Sequence, residues 1–392
     1  MPKNKLFATN HDMGSAQAMA PALHVLQQQG SEVVAFVNGA TLRPQDHPDV
    51  SQEELPEAPA SQIFRAAGLD TRTIQGDSDL RSMIASEKPD LVLVGISAPD
   101  YGSEKMALKA AIELGIPVAF IVETWPHRWL EVYEQRDIPL YRQAGLGLLW
   151  DQFSCDHMKS QGFDSTLFVA TGNPSQDAFA ALKNDRAKHR AAMRDRFRIP
   201  EDAVLIQYST ALSLDDPEED KPGHREWSGF SEADSVREYL TAMRDVASEN
   251  APYKVRGVIR QKPSFSGVRV QEMIREICPA VIYDNSRETG NALLLASDIV
   301  VGSMTLMIQN AAMLGVPGAF YLPDLCTPDP MISNRLGFTI PMYARGDLGQ
   351  LIRDAAYRPD HLKEFTRKVR PIDLPLDATG NVVTAIRNFL DR

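Results

Sequence analysis

The segment ALLLASDIVVGSMTLMIQNAAMLGVPGAFY, Ala292 to Tyr321, constrains the fold more than any other part of the chain. A short helix leads into an apolar strand at Asp298–Val301, which stops at the small polar turn Gly302-Ser303-Met304-Thr305. A second helix ends at Gly315-Val316-Pro317, and another apolar strand follows. A helix between two wholly apolar strands reads as a crossover of a parallel sheet buried on both faces. The turn brings backbone N–H groups and hydroxyls to a helix N-terminus, where the helix dipole favours an anion. Taken alone, the segment is also readable as an ordinary crossover with no ligand.

The same alternation runs through most of the chain. Strands are expected at Lys5–Thr9, Glu32–Asn38, Asp90–Gly95, Val118–Val122, Gly147–Trp150 and Thr166–Ala170, with helices at Ala16–Gln28 and Glu104–Leu114. Leu42–Pro59 reads as an exposed loop. A turn cluster, Thr171-Gly172-Asn173-Pro174, precedes a highly charged helix at Gln176–Arg196, and the strand–helix pattern then restarts. Strands follow at Val204–Tyr208, Val255–Arg260, Ala280–Tyr283 and Gly318–Leu322, with a helix at Ser231–Ser248 and an acidic loop at Asp215–Gly229. The expected fold is α/β, two doubly wound Rossmann-like domains facing a central cleft. The boundary is expected near Asn173, giving domains over residues 1–173 and 174–380. A last helix within 381–392 is expected to cross back to the first domain.

Composition narrows the classes of function. A chain of 392 residues exceeds one ordinary core, and 43% apolar with 24% charged residues is a globular composition. The net charge of -11 argues against general affinity for nucleic acid. Cys155, Cys278 and Cys326 are isolated and without metal spacing, which points to a reducing, cytoplasmic setting. No secretory signal and no membrane span of ~18 apolar residues is read.

Ligands of open α/β sheets bind beyond the carboxyl ends of the strands, so the candidate residues are those following strands. After the first strand come His11, a candidate general base that Asp12 can orient, then Gly14, which permits close backbone approach, and Ser15. Asp100 follows DLVLVG and reads equally as an acceptor-binding base or a helix cap. Glu123, Trp125 and Arg128 follow the next strand and suit a sugar or phosphate, with packing as the alternative for Trp125. In the second half, Arg260 and Lys262 end the strand GVI, where two cations suit a diphosphate. Ser303, Met304 and Thr305 form the turn, and Gln309 and Asn310 lie one helical turn on, within reach of a ribose. The spacing after the first strand is not a dinucleotide fingerprint.

Assembled, these residues resemble the GT-B superfamily of nucleotide-sugar-dependent glycosyltransferases, nearest to CDP-glycerol glycerophosphotransferase-like enzymes and UDP-N-acetylglucosamine 2-epimerases. The pieces that carry the resemblance are TGNP at Thr171–Pro174, R-x-K-P at Arg260–Pro263, and LL…SD…GS…LG-x-P from Leu294 to Pro317. It implies that Arg260 and Lys262 meet the donor phosphates, Ser303–Thr305 the diphosphate, and position 310 the ribose. Asn310 stands where the family usually has Glu and lacks a charged acceptor. Lys262 replaces the family's frequent His.

The leading expectation is a metal-independent glycosyltransferase with no cofactor, moving a sugar or polyol phosphate from a nucleotide donor to a small-molecule or glycan acceptor. His11 or Asp100 would serve as base. A sugar-nucleotide epimerase or hydrolase on the same fold is the second reading, with Asp100, Glu123 and Asp284 as available carboxylates. A non-catalytic GT-B-like partner protein is the third, and the oligomeric state is left open.

Overall fold

A computed structural model describes residues 4–10, 13–38, 59–74, 77–96, 103–126, 130, 138–164, 167–211, 222, 228–249, 251–263, 266–286, 288–367, 369–370, 372 and 377–392. The chain divides into two compact units, one of Met1–Ala178 with Leu374–Arg392 and one of Phe179–Asp373.

The first unit is a seven-stranded parallel sheet. Its strands are β1 (Lys5–Thr9), β2 (Glu32–Asn38), β3 (Asp70–Ile74), β4 (Leu91–Val94), β5 (Val118–Ile121), β6 (Leu146–Leu149) and β7 (Phe168–Ala170), in the order β3-β2-β1-β4-β5-β6-β7. Between them run α1 (Met13–Gln28), α2 (Pro59–Ala66), α3 (Asp77–Glu87), α4 (Ser103–Glu113), α5 (Ile138–Tyr141) and α6 (Gln152–Ser160). β4 (LVLV) and β5 (VAFI) are buried at every residue, as strands covered by helices on both faces must be. Alternate residues feed two cores. Leu6, Ala8, Leu91 and Leu93 pack with α1 and α2, while Phe7, Val92, Val94 and Phe120 pack with α3 and α4.

The second unit is a six-stranded parallel sheet of β8 (Val204–Ser209), β9 (Val255–Arg260), β10 (Ile282–Asp284), β11 (Ile299–Gly302), β12 (Gly318–Tyr321) and β13 (Ile340–Met342), ordered β10-β9-β8-β11-β12-β13. Its helices are α7 (Ala178–Asn184, entered from the first unit), α8 (Arg186–Arg196), α9 (Glu232–Ser248), α10 (Val268–Ile277), α11 (Gly290–Ala296), α12 (Leu306–Met313), α13 (Ile332–Arg335), α14 (Asp347–Tyr357) and α15 (Pro359–Thr366). α9 begins where the Ser231 hydroxyl accepts from the Asp234 N–H, with two acids in its first turn. Its Val236, Tyr239, Leu240, Met243 and Val246 form the apolar stripe laid on the sheet. α12 stops where Gly315 adopts a left-handed conformation (φ +74°), which a side chain would strain, and Pro317 follows.

The final helix, α16 (Ala378–Leu390), belongs to the first unit. Val382, Val383, Ala385 and Ile386 join the core of α1 and β1, and Asp177 accepts from the Ala378 and Thr379 N–H groups at 2.7 and 2.8 Å.

Several elements depart from expectation. The charged segment Gln176–Arg196 is not one helix. A 3-10 turn at Pro174–Gln176 is followed by α7 and α8, which break at Asp185, a poor residue for a helix interior. Pro59, expected in a loop, opens α2, and the rest of that loop lies outside the described residues. α2, β3, α3, α5 and α6 were not legible, nor were α10, α13, β13, α14 and α15. β3 (DTRTI) is an edge strand with a mostly polar, exposed face, and β13, an edge strand of the second unit's sheet, carries Pro341. Among the described residues no helix is long and apolar enough to cross a membrane.

Candidate functional site

In each sheet the strand order reverses once, between β1 and β4 in the first unit and between β8 and β11 in the second. At such switch points the loops after neighbouring strands diverge to opposite faces and leave room for a ligand.

In the first unit Thr9 pairs with Val94 across the switch point. Gly95 directly follows β4 there, and a Cβ on it would lie 2.2 Å from Asn10 Oδ1 and 2.5 Å from Ser15 Cβ, so only glycine lets the three segments close up. Ser15, fully buried in the first turn of α1, donates to Glu123 Oε2 at 2.7 Å, with the Ile96 carbonyl 3.2 Å away as a second acceptor. A Cβ on Gly14 would lie 3.2 Å from Glu123 Oε1. The backbone is held as well, because Asn173 Nδ2 donates to the Glu123 carbonyl at 2.7 Å. Three of the sequence candidates, Gly14, Ser15 and Glu123, therefore meet at the carboxyl edge of this sheet. The result is a carboxylate held at the start of a 16-residue helix, a position that favours negative charge.

Trp125 is placed differently. It is 3% exposed, its indole N–H donates to Asp151 Oδ2 at 2.8 Å, and its ring lies on Trp150 with centroids 4.3 Å apart. The packing alternative accounts for it, since a ring so covered offers no face to a sugar. His11, Asp12, Asp100 and Arg128 lie outside the described residues.

In the second unit Arg260, the last residue of β9, is buried and donates to Asp284 Oδ2 at 2.5 Å, an ion pair with 7% and 5% of the two side chains exposed. Asp284 also accepts from the Thr289 hydroxyl at 2.7 Å. Arg260 thus reaches along the strand ends to β10, and Lys262 is the exposed cation of the pair read from the sequence. Between them, Gln261 is buried and its Oε1 accepts from the Tyr283 hydroxyl at 2.9 Å.

The turn after β11 sits beside the end of β8. Gly302 pairs with Ser209, and a Cβ on Gly302 would lie 2.2 Å from the Ser209 carbonyl oxygen. Ser303 is buried and donates to Glu232 Oε1 at 2.6 Å, while both Glu232 oxygens accept from the Ala211 N–H at 2.9 and 3.0 Å. Thr305 caps α12, its hydroxyl oxygen accepting from the Met307 N–H at 3.4 Å. The Met304 sulfur lies 4.0 Å from the Ser228 hydroxyl. Gln309 is 5% exposed and Asn310 half-buried. Glu232, absent from the sequence candidates, is the residue that joins two strand ends. Its only local signal is a carboxylate directly after a serine cap. Among the described residues no group of three or more His, Cys, Asp or Glu side chains could hold a metal ion.

No protein-family model matches the chain, and no curated protein matches its sequence. Solved structures do match in shape. MnaA of S. aureus, solved with UDP, superposes with a TM-score of 0.69 at 16% identity, covering 99% of this chain and 97% of that one. The UDP-GlcNAc 2-epimerase of Neisseria meningitidis, bound to UDP-GlcNAc, gives 0.63 at 15% identity, covering 99% and 100%. The wall teichoic acid polymerase TagF gives 0.58 at 11% identity, covering 100% and 90%. At such identities the likeness is one of fold. With two parallel, doubly wound sheets of seven and six strands, the chain has the GT-B fold, as its sequence motifs led one to expect.

Proposed function

We propose that the protein is an enzyme acting on a nucleoside diphosphate sugar; in the first unit Glu123 is the candidate for proton transfer, and in the second the β9 and β11 edges are the candidates for phosphate contacts. The observation that carries the reading is Glu123 at a switch point, its carboxylate held by the Ser15 hydroxyl and its backbone carbonyl by Asn173. A side chain held at both its carboxylate and its backbone is oriented for one task, and a carboxylate fits general-base work.

In the transferase reading the base removes the proton of an acceptor hydroxyl as the nucleoside diphosphate leaves. Glu123 joins the sequence candidates His11 and Asp100 for that role. Lys262 and the turn Ser303–Thr305 with the start of α12 would offset the leaving group's charge, without a metal. Met304, Gln309 and Asn310 remain candidates for the rest of the nucleotide. Arg260 would contribute through Asp284 and the strand-end geometry more than by direct contact.

An epimerase reading stands beside it. It is supported by the fold likeness to a UDP-GlcNAc 2-epimerase and by the same carboxylate, which could remove a proton from the sugar carbon instead of from an acceptor. The two separate in one experiment. UDP-GlcNAc is incubated with the protein in D2O without acceptor and followed by proton NMR. The 2-epimer with deuterium at C2 establishes epimerisation, and free sugar with UDP establishes hydrolysis. UDP bound but no turnover until acceptor glycans are added establishes transfer. Absence of binding by UDP, CDP, GDP, ADP or dTDP in calorimetry would overturn the proposal in all its forms. In an active protein, Glu123→Gln should lower kcat far more than it raises the Kd for UDP.

A further inference from the structure

Glu232 is 1% exposed, yet it is a carboxylate in the first turn of α9. It accepts the Ala211 N–H with both oxygens and the Ser303 O–H at 2.6 Å. The Ala211 N–H and the Ser303 O–H are both donors, and a carboxylate is the side chain that only accepts; an amide in its place would turn an N–H toward one of them. Ala211 follows β8, Ser303 follows β11, and these are the two strands flanking the switch point of the second sheet. The contact spans 71 residues of sequence and closes over Gly302, whose missing side chain lets the turn lie against Ser209.

We propose that Glu232 is a positioning residue. It clamps the turn after β11 to the loop after β8 and, by accepting the hydrogen bond that the Ser303 O–H donates, leaves that hydroxyl able to meet a ligand only as a hydrogen-bond acceptor. A phosphoryl oxygen is itself an acceptor, so the Ser303 hydroxyl does not bind phosphate. Its partner is a donor, and on a nucleotide sugar that means a hydroxyl of the ribose or the sugar. This assignment rests on the function proposed above and narrows it. The turn serves a diphosphate through its main chain and the start of α12, not through the serine side chain.

The clamp is tested without ligand by amide hydrogen exchange of wild type and Glu232→Gln. The Ala211 amide should exchange at least about tenfold faster in the variant, the factor expected when a charge-assisted hydrogen bond is lost. Equal rates would overturn the clamp. Should Glu232→Gln fail to fold, Ser303→Ala removes one arm alone, and faster exchange at Met304 and Thr305 is then expected, with unchanged rates overturning the idea. The donor-partner assignment is tested by calorimetric titration of Ser303→Ala with UDP and with inorganic pyrophosphate, which has no hydroxyl. Affinity for pyrophosphate should stay within about twofold of wild type, while UDP or UDP-GlcNAc weakens by about fivefold, the loss of one neutral hydrogen bond. Pyrophosphate weakened tenfold would return Ser303 to the phosphate. If wild type binds none of these probes, the proposed function fails while the exchange measurement still decides the clamp.

Discussion

Replacing Arg260 by Leu should destabilise the second unit by about 3–5 kcal/mol, because it strands a buried carboxylate. The guanidinium and the Asp284 carboxylate are 7% and 5% exposed and 2.5 Å apart, so little water can take the place of the lost cation. Asp284 keeps its contacts with the Thr289 hydroxyl and, at 3.4 Å, the Ser286 N–H, which offset only part of the charge. For a unit the size of Phe179–Asp373, each kcal/mol lowers Tm by roughly 2–4 °C, so a fall of about 6–20 °C is expected in that unit's transition by scanning calorimetry. The double variant Arg260→Leu/Asp284→Asn leaves no unpaired charge and should recover about half the loss or more, since removing both members of a buried pair is far milder than removing one. A fall below about 2 °C, or equal Tm values for single and double variants, would refute this reasoning. Arg260 would then be a cation uncommitted to Asp284.

Gly95→Ala should displace Asn10 and Ser15, whose atoms lie 2.2 and 2.5 Å from the added carbon. A loss of about 1–3 kcal/mol by denaturant melting is expected, with turnover falling as Glu123 loses its anchor; an unperturbed variant would mean the segments are not packed as described. Thiol titration with a disulfide reagent at pH 8 should find one fast group, the exposed Cys326, and three in guanidinium. Burial pushes the Cys155 thiol up to about 12 and also raises Cys278, so a second fast thiol would contradict their enclosure. Glu87 is held below its ordinary value of 4.5, first by the hydrogen bond from Lys5 and also by Arg72. A depressed carboxylate contributes stability that is present above about pH 4.5 and lost as pH falls through the folded-state value. The first unit's Tm should therefore drop below pH 4.5, less steeply in Glu87→Gln; identical slopes would show that the cluster is screened by solvent.

The sequence by itself determined the class of fold. Strands of a parallel sheet covered on both faces must be continuously apolar, and LVLV, VAFI, IVVG and GAFY announce themselves for that reason. Crossover helices ended by Gly-x-Pro at Gly115 and Gly315 were legible because that stop is chemical and local. Two of the four edge strands, β3 and β13, were not, since the polar DTRTI and the short IPM lack the continuous apolar run that writes the pattern, whereas the edges β7 and β10 were read. The residues at the strand ends could also be named from position in the chain, and Ser15 with Glu123 do meet.

Their chemistry was decided only by the tertiary structure, because it depends on partners far away in sequence. Arg260 and Lys262 look alike as two cations after a strand, yet Asp284, 24 residues on, takes the first into a buried pair while the second is exposed. Ser303 reads as a phosphate donor until Glu232, 71 residues earlier, is found holding its proton. Trp125 reads either as a sugar platform or as a packing residue until Trp150 and Asp151 are found enclosing it. Hydrophobic patterning is local and periodic, so one chain segment reports it. A hydrogen bond commits a polar group to whichever partner the fold brings within 3 Å, and no single segment contains that information.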